Sequence, residues 1–338
     1  MSGSTPGRPR PAGVRPGASL SARYRAMTWS PRRGLAAYAE GVSAELPAVA
    51  EARMAALRSS GTWGSALTAD EFAAIRAAGF EPVGQVFGAA VFSAGAATGS
   101  GCPGAPGSSG GEAAQVPGPG GAGPFGPLVQ AMDQARRTAV SRMVTECAEL
   151  GGHGVVGVHV SRGAFLLGGT QFAVIGTAVR APGVAPGQAA PFTSAVSGQD
   201  FAKLIMAGWV PAGLVLGVSV GSRHDDRDTV RQARWRSGNA EVAGWSGLVS
   251  QSRHDARRQL ESDVARLGAD GAVIAAMRLR VRRRDCPVAV GRHDHVVEAT
   301  LIGTAVARFS PRGQRPGGPA LAIMSLDPQR RQAARIRI

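Results

Sequence analysis

The sequence predicts an α+β fold built from two tandem units, each reading as helix, strand, insert, helix, strand, strand. Three observations carry that prediction. Residues 65–91 align without gaps to residues 194–220, with eleven of 27 positions identical, among them Phe72/Phe201, Gly79/Gly208, Pro82/Pro211 and Gly88/Gly217. Residues 143–156 align with 260–273, and Ile175–Val179 recurs unchanged as Ile302–Val306. These blocks recur in one order at separations of 117 to 129 residues, which is the signature of an internal duplication.

Taken in chain order, residues 1–33 carry seven Arg and no acid and read as a disordered basic tail. Residues 34–58 read as an amphipathic helix with Leu35, Tyr38, Leu46 and Leu57, interrupted at Pro47. The first unit spans 65–180. Asp70 and Glu71 open its first helix and Gly79 closes it, because acids favour the first turn and glycine the left-handed end. Phe72, Ile75 and Ala78 supply its apolar side. Pro82 prevents continuation, and Val83–Phe87 begins a strand. Residues 93–126 hold twelve Gly and five Pro in 34 positions with one charge, Glu112, and read as a disordered insert. Ala139, Met143, Cys147 and Leu150 then form one helical stripe, and Gly151 ends it. Strands follow from Val155 and over Phe172–Arg180.

The second unit spans 194–308, after a Pro/Gly/Ala linker over 181–191. It repeats the pattern with the stripe Ala256, Leu260, Val264 and Leu267, ended by Gly268. Its insert, 221–243, is charged rather than glycine-rich and reads as a loop. Residues 310–338 form a second basic tail with six Arg and one acid.

Composition limits the function classes. Of 338 residues, 44% are hydrophobic, enough to exclude wholesale disorder. The net charge is +15, but the tails carry +7 and +5, so about +3 remains on the body between them. A body that near neutrality is not a nucleic-acid surface by charge. Three cysteines without a CxxC pair exclude a disulfide scaffold and a zinc site of ordinary spacing. The N-terminus lacks the apolar core of a signal peptide. Leu204–Ser222 is uncharged over nineteen residues, but Gly208, Pro211, Gly213 and Gly217 suit a turn and strand rather than a spanning helix. The expected compartment is the cytoplasm, with no transmembrane segment.

Phe80–Gly88, Leu150–Val158 and Ile175–Val179 resemble the corresponding blocks of the YbjQ-like family, whose members carry a heavy-metal-binding label, and Trp209–Gly217, Leu267–Ile274 and Ile302–Val306 resemble them again. The resemblance implies dodecin-like β-α-β-β units and a ring-forming homo-oligomer, commonly of five chains. The second copy departs from the family at Ile274–Met277, and the first by its insert.

The metal label directs attention to Cys286, His293 and His295, with Asp294 between the histidines. On a strand His293 and His295 share a face, and a nearby thiolate suits a divalent or soft metal ion. The alternative is a solvated hairpin loop beside Arg282–Arg284. Cys147 corresponds to Val264 and reads as a core residue. His153 corresponds to Asp270 and reads as a polar turn position. No phosphate loop or paired-carboxylate signature occurs, so no enzyme is expected. The sequence therefore predicts a non-enzymatic oligomer that binds a metal or small ligand. The second reading is an adaptor whose Arg-rich tails make weak, non-specific contacts with nucleic acid or an anionic surface.

Overall fold

A computed structural model describes residues 45–61, 64–93, 125–164, 169–181, 183–185, 190–234, 238–286, 293–308 and 321–324. The fold is mixed α+β, with two four-stranded sheets and six helices among the described residues. Both basic tails lie outside those residues, apart from a short strand at Leu321–Met324, and so do the core of the glycine-rich insert and Cys102.

Helix α1 runs over Ala48–Ser60, directly after Pro47; residues 34–44, the rest of the expected helix, lie outside the described residues. Helix α2, Ala69–Ala77, starts at a capping box in which the Thr68 hydroxyl accepts from the Glu71 amide and Glu71 answers to the Thr68 amide. Gly79 takes φ 81°, a conformation that closes the helix and turns the chain into strand β1, Glu81–Ser93. Helix α3, Gly126–Glu149, crosses the sheet. Strands β2, Gly154–Ala164, and β3, Gly169–Arg180, complete the antiparallel part, and the short β4, Phe192–Thr193, adds in parallel. The order is β1-β3-β2-β4.

The second sheet is built the same way. Helix α4, Gly198–Met206, leads into β5, Trp209–His224. Helix α5, Arg227–Gln232, and helix α6, Ala243–Arg266, follow, then β6, Gly271–Asp285, β7, His293–Arg308, and β8, Leu321–Met324. The order is β5-β7-β6-β8, with β8 parallel to β6. Bulges fall at Pro82/Gly84 in β1 and at Pro211/Gly213 in β5, where an edge strand tolerates proline. The parallel fourth strand of each sheet has no counterpart in the sequence reading, because two to four residues leave no periodicity to detect. The second insert is also more ordered than its charge suggests. Strand β5 continues through His224, and Asp226 caps α5 by accepting from the Thr229 amide. In the first insert, β1 extends through Ser93, while Phe125 and Gly126 are buried at the start of α3.

Each long helix lies very close to its sheet. A Cβ on Gly88 would sit 1.9 Å from the Ala139 carbonyl oxygen, and one on Gly217 would sit 1.7 Å from that of Ala256. Both helix stripes are buried: Ala139, Met143 and Cys147 in α3, and Ala256, Leu260 and Val264 in α6. The two halves are joined at two places. Helices α2 and α4 share a core in which Phe201 meets Phe80 edge-on at 5.0 Å and stacks on Phe192 at 5.7 Å. The face of the second sheet turned away from α6 contributes Leu214, Leu216, Val218 and Ile302 to the core that α3 builds with the first sheet. The layers therefore run from the first sheet to α3, then the second sheet, then α6.

The outer edge strands are tied to helices in a matching way. The Phe87 amide donates to Glu146 of α3 at 2.7 Å, and Glu146 also receives Arg53 of α1. The Leu216 amide approaches Asp263 of α6 at 3.4 Å, and Asp263 receives Arg136 of α3 at 3.5 Å. Glu146 and Asp263 are 117 residues apart, and so are the positions of Arg136 and Arg253 in the two long helices.

Candidate functional site

The densest group of titratable side chains lies at the tip of the second sheet, where β5 ends, β7 begins and β6 ends. Antiparallel pairing places His224 opposite Asp294 on one side and Arg284 opposite Asp294 on the other. Asp294 is fully buried, and a buried carboxylate requires partners. One of its oxygens meets His224 Nδ1 at 2.9 Å, and the other accepts from Arg284 Nε at 3.1 Å. Cys286 lies just past β6, is itself buried, and brings its Sγ to within 4.8 Å of donor atoms of both His224 and Asp294.

A second pair forms on the opposite side of the same strands. Asp225 accepts from the Trp245 indole at 3.1 Å and meets His295 Nε2 at 3.2 Å. The Trp245 ring covers His295, with ring centres 4.6 Å apart. Next to it Asp226 pairs with Arg223. Burial opposes the charge of Asp226, but the Thr229 amide and hydroxyl together with Arg223 outweigh it and hold the carboxyl below its ordinary 3.8.

The expected trio of Cys286, His293 and His295 is not brought together. His293 and His295 do begin a strand, β7, and share a face as the alternation requires. That alternation gives Asp294 the opposite face, which is the one Cys286 joins. His293 instead pairs with Asp285 at the surface at 2.9 Å, and His295 with Asp225. His224 takes the histidine place beside Cys286. The signal for it is the run Val218–His224, which contains no proline and a single glycine, Gly221, and can therefore continue the strand. Three donor types within reach of one another (imidazole, thiol and carboxylate) form a group that suits a borderline or soft cation. Arg284 already occupies one carboxylate oxygen.

The remaining sequence candidates are structural. Cys147 is buried against its sheet, donates to the Gly154 carbonyl at 3.4 Å, and burial pushes its thiol up to about 12. His153 is buried, and its Nδ1 accepts from the Ala181 amide at 3.1 Å. Its counterpart Asp270 accepts from the Arg308 amide at 2.8 Å. Both therefore anchor the end of the last long strand of their sheet.

Among the described residues no helix is long and apolar enough to cross a membrane. A family described as "Putative heavy-metal-binding", YbjQ, matches residues 121–182, a stretch that covers α3, β2 and β3 and includes none of His224, Cys286 and Asp294. Over 276 residues, 79% of its length, the chain is 31% identical to the encapsulin nanocompartment protein Rv1762c of Mycobacterium tuberculosis, and the alignment covers 93% of that protein. This finding corrects the functional expectation. A relative matched across most of the chain is named for a nanocompartment, so the reading as a metal- or small-ligand-binding oligomer does not stand, nor does the reading as a tail-driven adaptor.

Proposed function

Because this chain belongs to the family of the mycobacterial encapsulin nanocompartment protein, we propose that it is a non-enzymatic building block of a cytoplasmic protein nanocompartment that assembles from copies of itself. The observation that carries this reading is the 31% identity across 93% of that relative. The two halves are read here as tandem copies of one dodecin-like unit. Matched strand order, matched bulges and matched helix–edge contacts support that reading.

The packing supports self-association. Among the described residues, the back of the second sheet is covered by α3 and the first sheet, whereas the back of the first sheet is open, with Phe87 39% and Val91 49% exposed. The contact between the halves is heterologous, because the helix layer of one meets the sheet back of the other. A contact of that kind repeated between chains closes into a ring or shell when its rotation closes. A five-chain ring is the closed form that the family resemblance suggests.

Light scattering and electron microscopy of the untagged protein test the proposal. The expected result is uniform particles whose mass is a large multiple of the 34.5 kDa chain. A protein that stays at one chain mass at micromolar concentration rejects it.

A further inference from the structure

Each sheet presents its long edge strand to a helix that precedes it in the chain, but the two helices differ greatly in how firmly they are held. At the second sheet that helix is α3, which buries twelve of its 24 residues. It reaches along the sheet back far enough for Phe125 and Val129 to pack in one cluster with Val220, and its Arg136 meets Asp263 and the Leu216 carbonyl. At the first sheet the helix is α1, which buries only Met54. It is attached through Arg53 to Glu146 and Arg58 to Glu149. It begins five residues before Arg53, whereas α3 begins ten before Arg136. Val91, the counterpart of Val220, is left exposed.

The third helix of this series, α6, is open on its outer side among the described residues. It carries Arg253 at the position Arg136 holds in α3, and Arg258 five residues later, which is the spacing of Arg53 and Arg58 in α1. Arg253 and Arg258 are both exposed. The outer positions that correspond to Phe125, Val129 and Met132 are Val242, Ser246 and Val249, all small enough to lie over Val91 and Phe87.

We infer that α1 is an exchangeable plug, and that helix α6 of a second copy takes its place on the first sheet, pairing its Arg253 and Arg258 with Glu146 and Glu149 and covering Phe87 and Val91. The charges match: two guanidinium groups at the same spacing meet the same two carboxylates, one of which, Glu146, is 1% exposed and needs a cationic partner in either state. The contact reproduces between chains the seating that α3 already has within one chain. It rests on the building-block reading and specifies the surface through which that assembly grows.

The test uses the full chain with Val91→Cys and Ser246→Cys, the positions that correspond to the clustered Val220 and Val129. Oxidation of the purified protein should link chains into a ladder of covalent multimers on a non-reducing gel. Adding Arg53→Glu, which repels Glu146 and loosens α1, should at least double the weight-average mass by light scattering and speed the linking. Adding Arg253→Glu should suppress both effects. Protein that is assembled by light scattering but does not link at these positions overturns this contact and leaves the building-block reading in place. Protein that stays at one chain mass in every variant overturns both.

Discussion

Helices α3 and α6 are each 24 residues long, come from corresponding places in the chain and lie on corresponding sheets, yet α3 is buried on two sides and α6 on one. Their inner stripes are equivalent, and each touches its own sheet through a glycine. The difference is on the outer side. There α3 offers Val129, Met132, Arg136 and Val140, all buried, because the second sheet covers them. At the same positions α6 offers Ser246, Val249, Arg253 and Arg257, of which the arginines are exposed. The comparison separates what makes a unit fold, the inner stripe, from what joins units, the outer one.

Substituting the contact glycines should have the largest effect and should not distinguish the halves. Gly88→Ala and Gly217→Ala each place a methyl group against helix backbone, which cannot move aside as a side chain can. Each should cost roughly 3 kcal/mol or more in denaturant unfolding. A loss under about 1 kcal/mol in either half would show that its helix can lift freely.

Truncation on the outer stripe should then separate the two helices. Met132→Ala removes a side chain buried between α3 and its neighbours and should cost roughly 2–4 kcal/mol. Val249→Ala, on a half-exposed position, should cost under about 1 kcal/mol in the unassembled chain. Equal losses would mean that the outer face of α6 is already covered within one chain.

Acid should act on the first half through His153. Burial lowers its pKa below 6.5 in the folded protein, so between the two values the unfolded chain binds more protons. Stability therefore rises with pH across that window and is lost as pH falls from 6.5 through the folded value. Melting temperature measured between pH 5 and 8 should show this slope, and His153→Asn should flatten it. An unchanged slope in that variant would place the acid sensitivity elsewhere.

Giving Cys147 the valine that its counterpart carries should have a small effect. The side chain is wholly buried and valine adds a single methyl group, so the loss should stay under about 1.5 kcal/mol. In the unaltered protein, a thiol pushed up to about 12 should resist modification until the chain unfolds. Rapid labelling of Cys147 in folded protein would show that α3 opens locally.

Much of this architecture was legible in the sequence, and the reasons are physical. The inner stripes were visible because three- and four-residue spacing survives in both long helices. Gly79 and Pro82 marked a turn because left-handed backbone and a missing amide are local requirements. The outer stripe of α3 was hidden, since Arg136 reads as solvent-facing until a second sheet is placed over it. The tip cluster was half legible. Cys286 and the histidines stood out by residue type, but whether His224 or His295 faces the thiol depends on strand register, and a shift of one residue exchanges the faces. The charged composition of 221–243 suggests a loop, whereas His224 continues β5 and both His224 and Asp225 are hydrogen-bonded across the sheet tip.

The helix carboxylates that meet the edge amides of Phe87 and Leu216 have a consequence for crowded protein. A bare strand edge is a template on which an unrelated chain can extend the sheet, and this is how concentrated β-rich proteins turn into fibres. Glu146 and Asp263 occupy the outward hydrogen-bonding groups of β1 and β5 at mid-strand, with Gln259 doing the same at Val218 and Arg142 at the Ala89 carbonyl. These two edges are therefore guarded at mid-strand against strand addition when the chain is packed at high density.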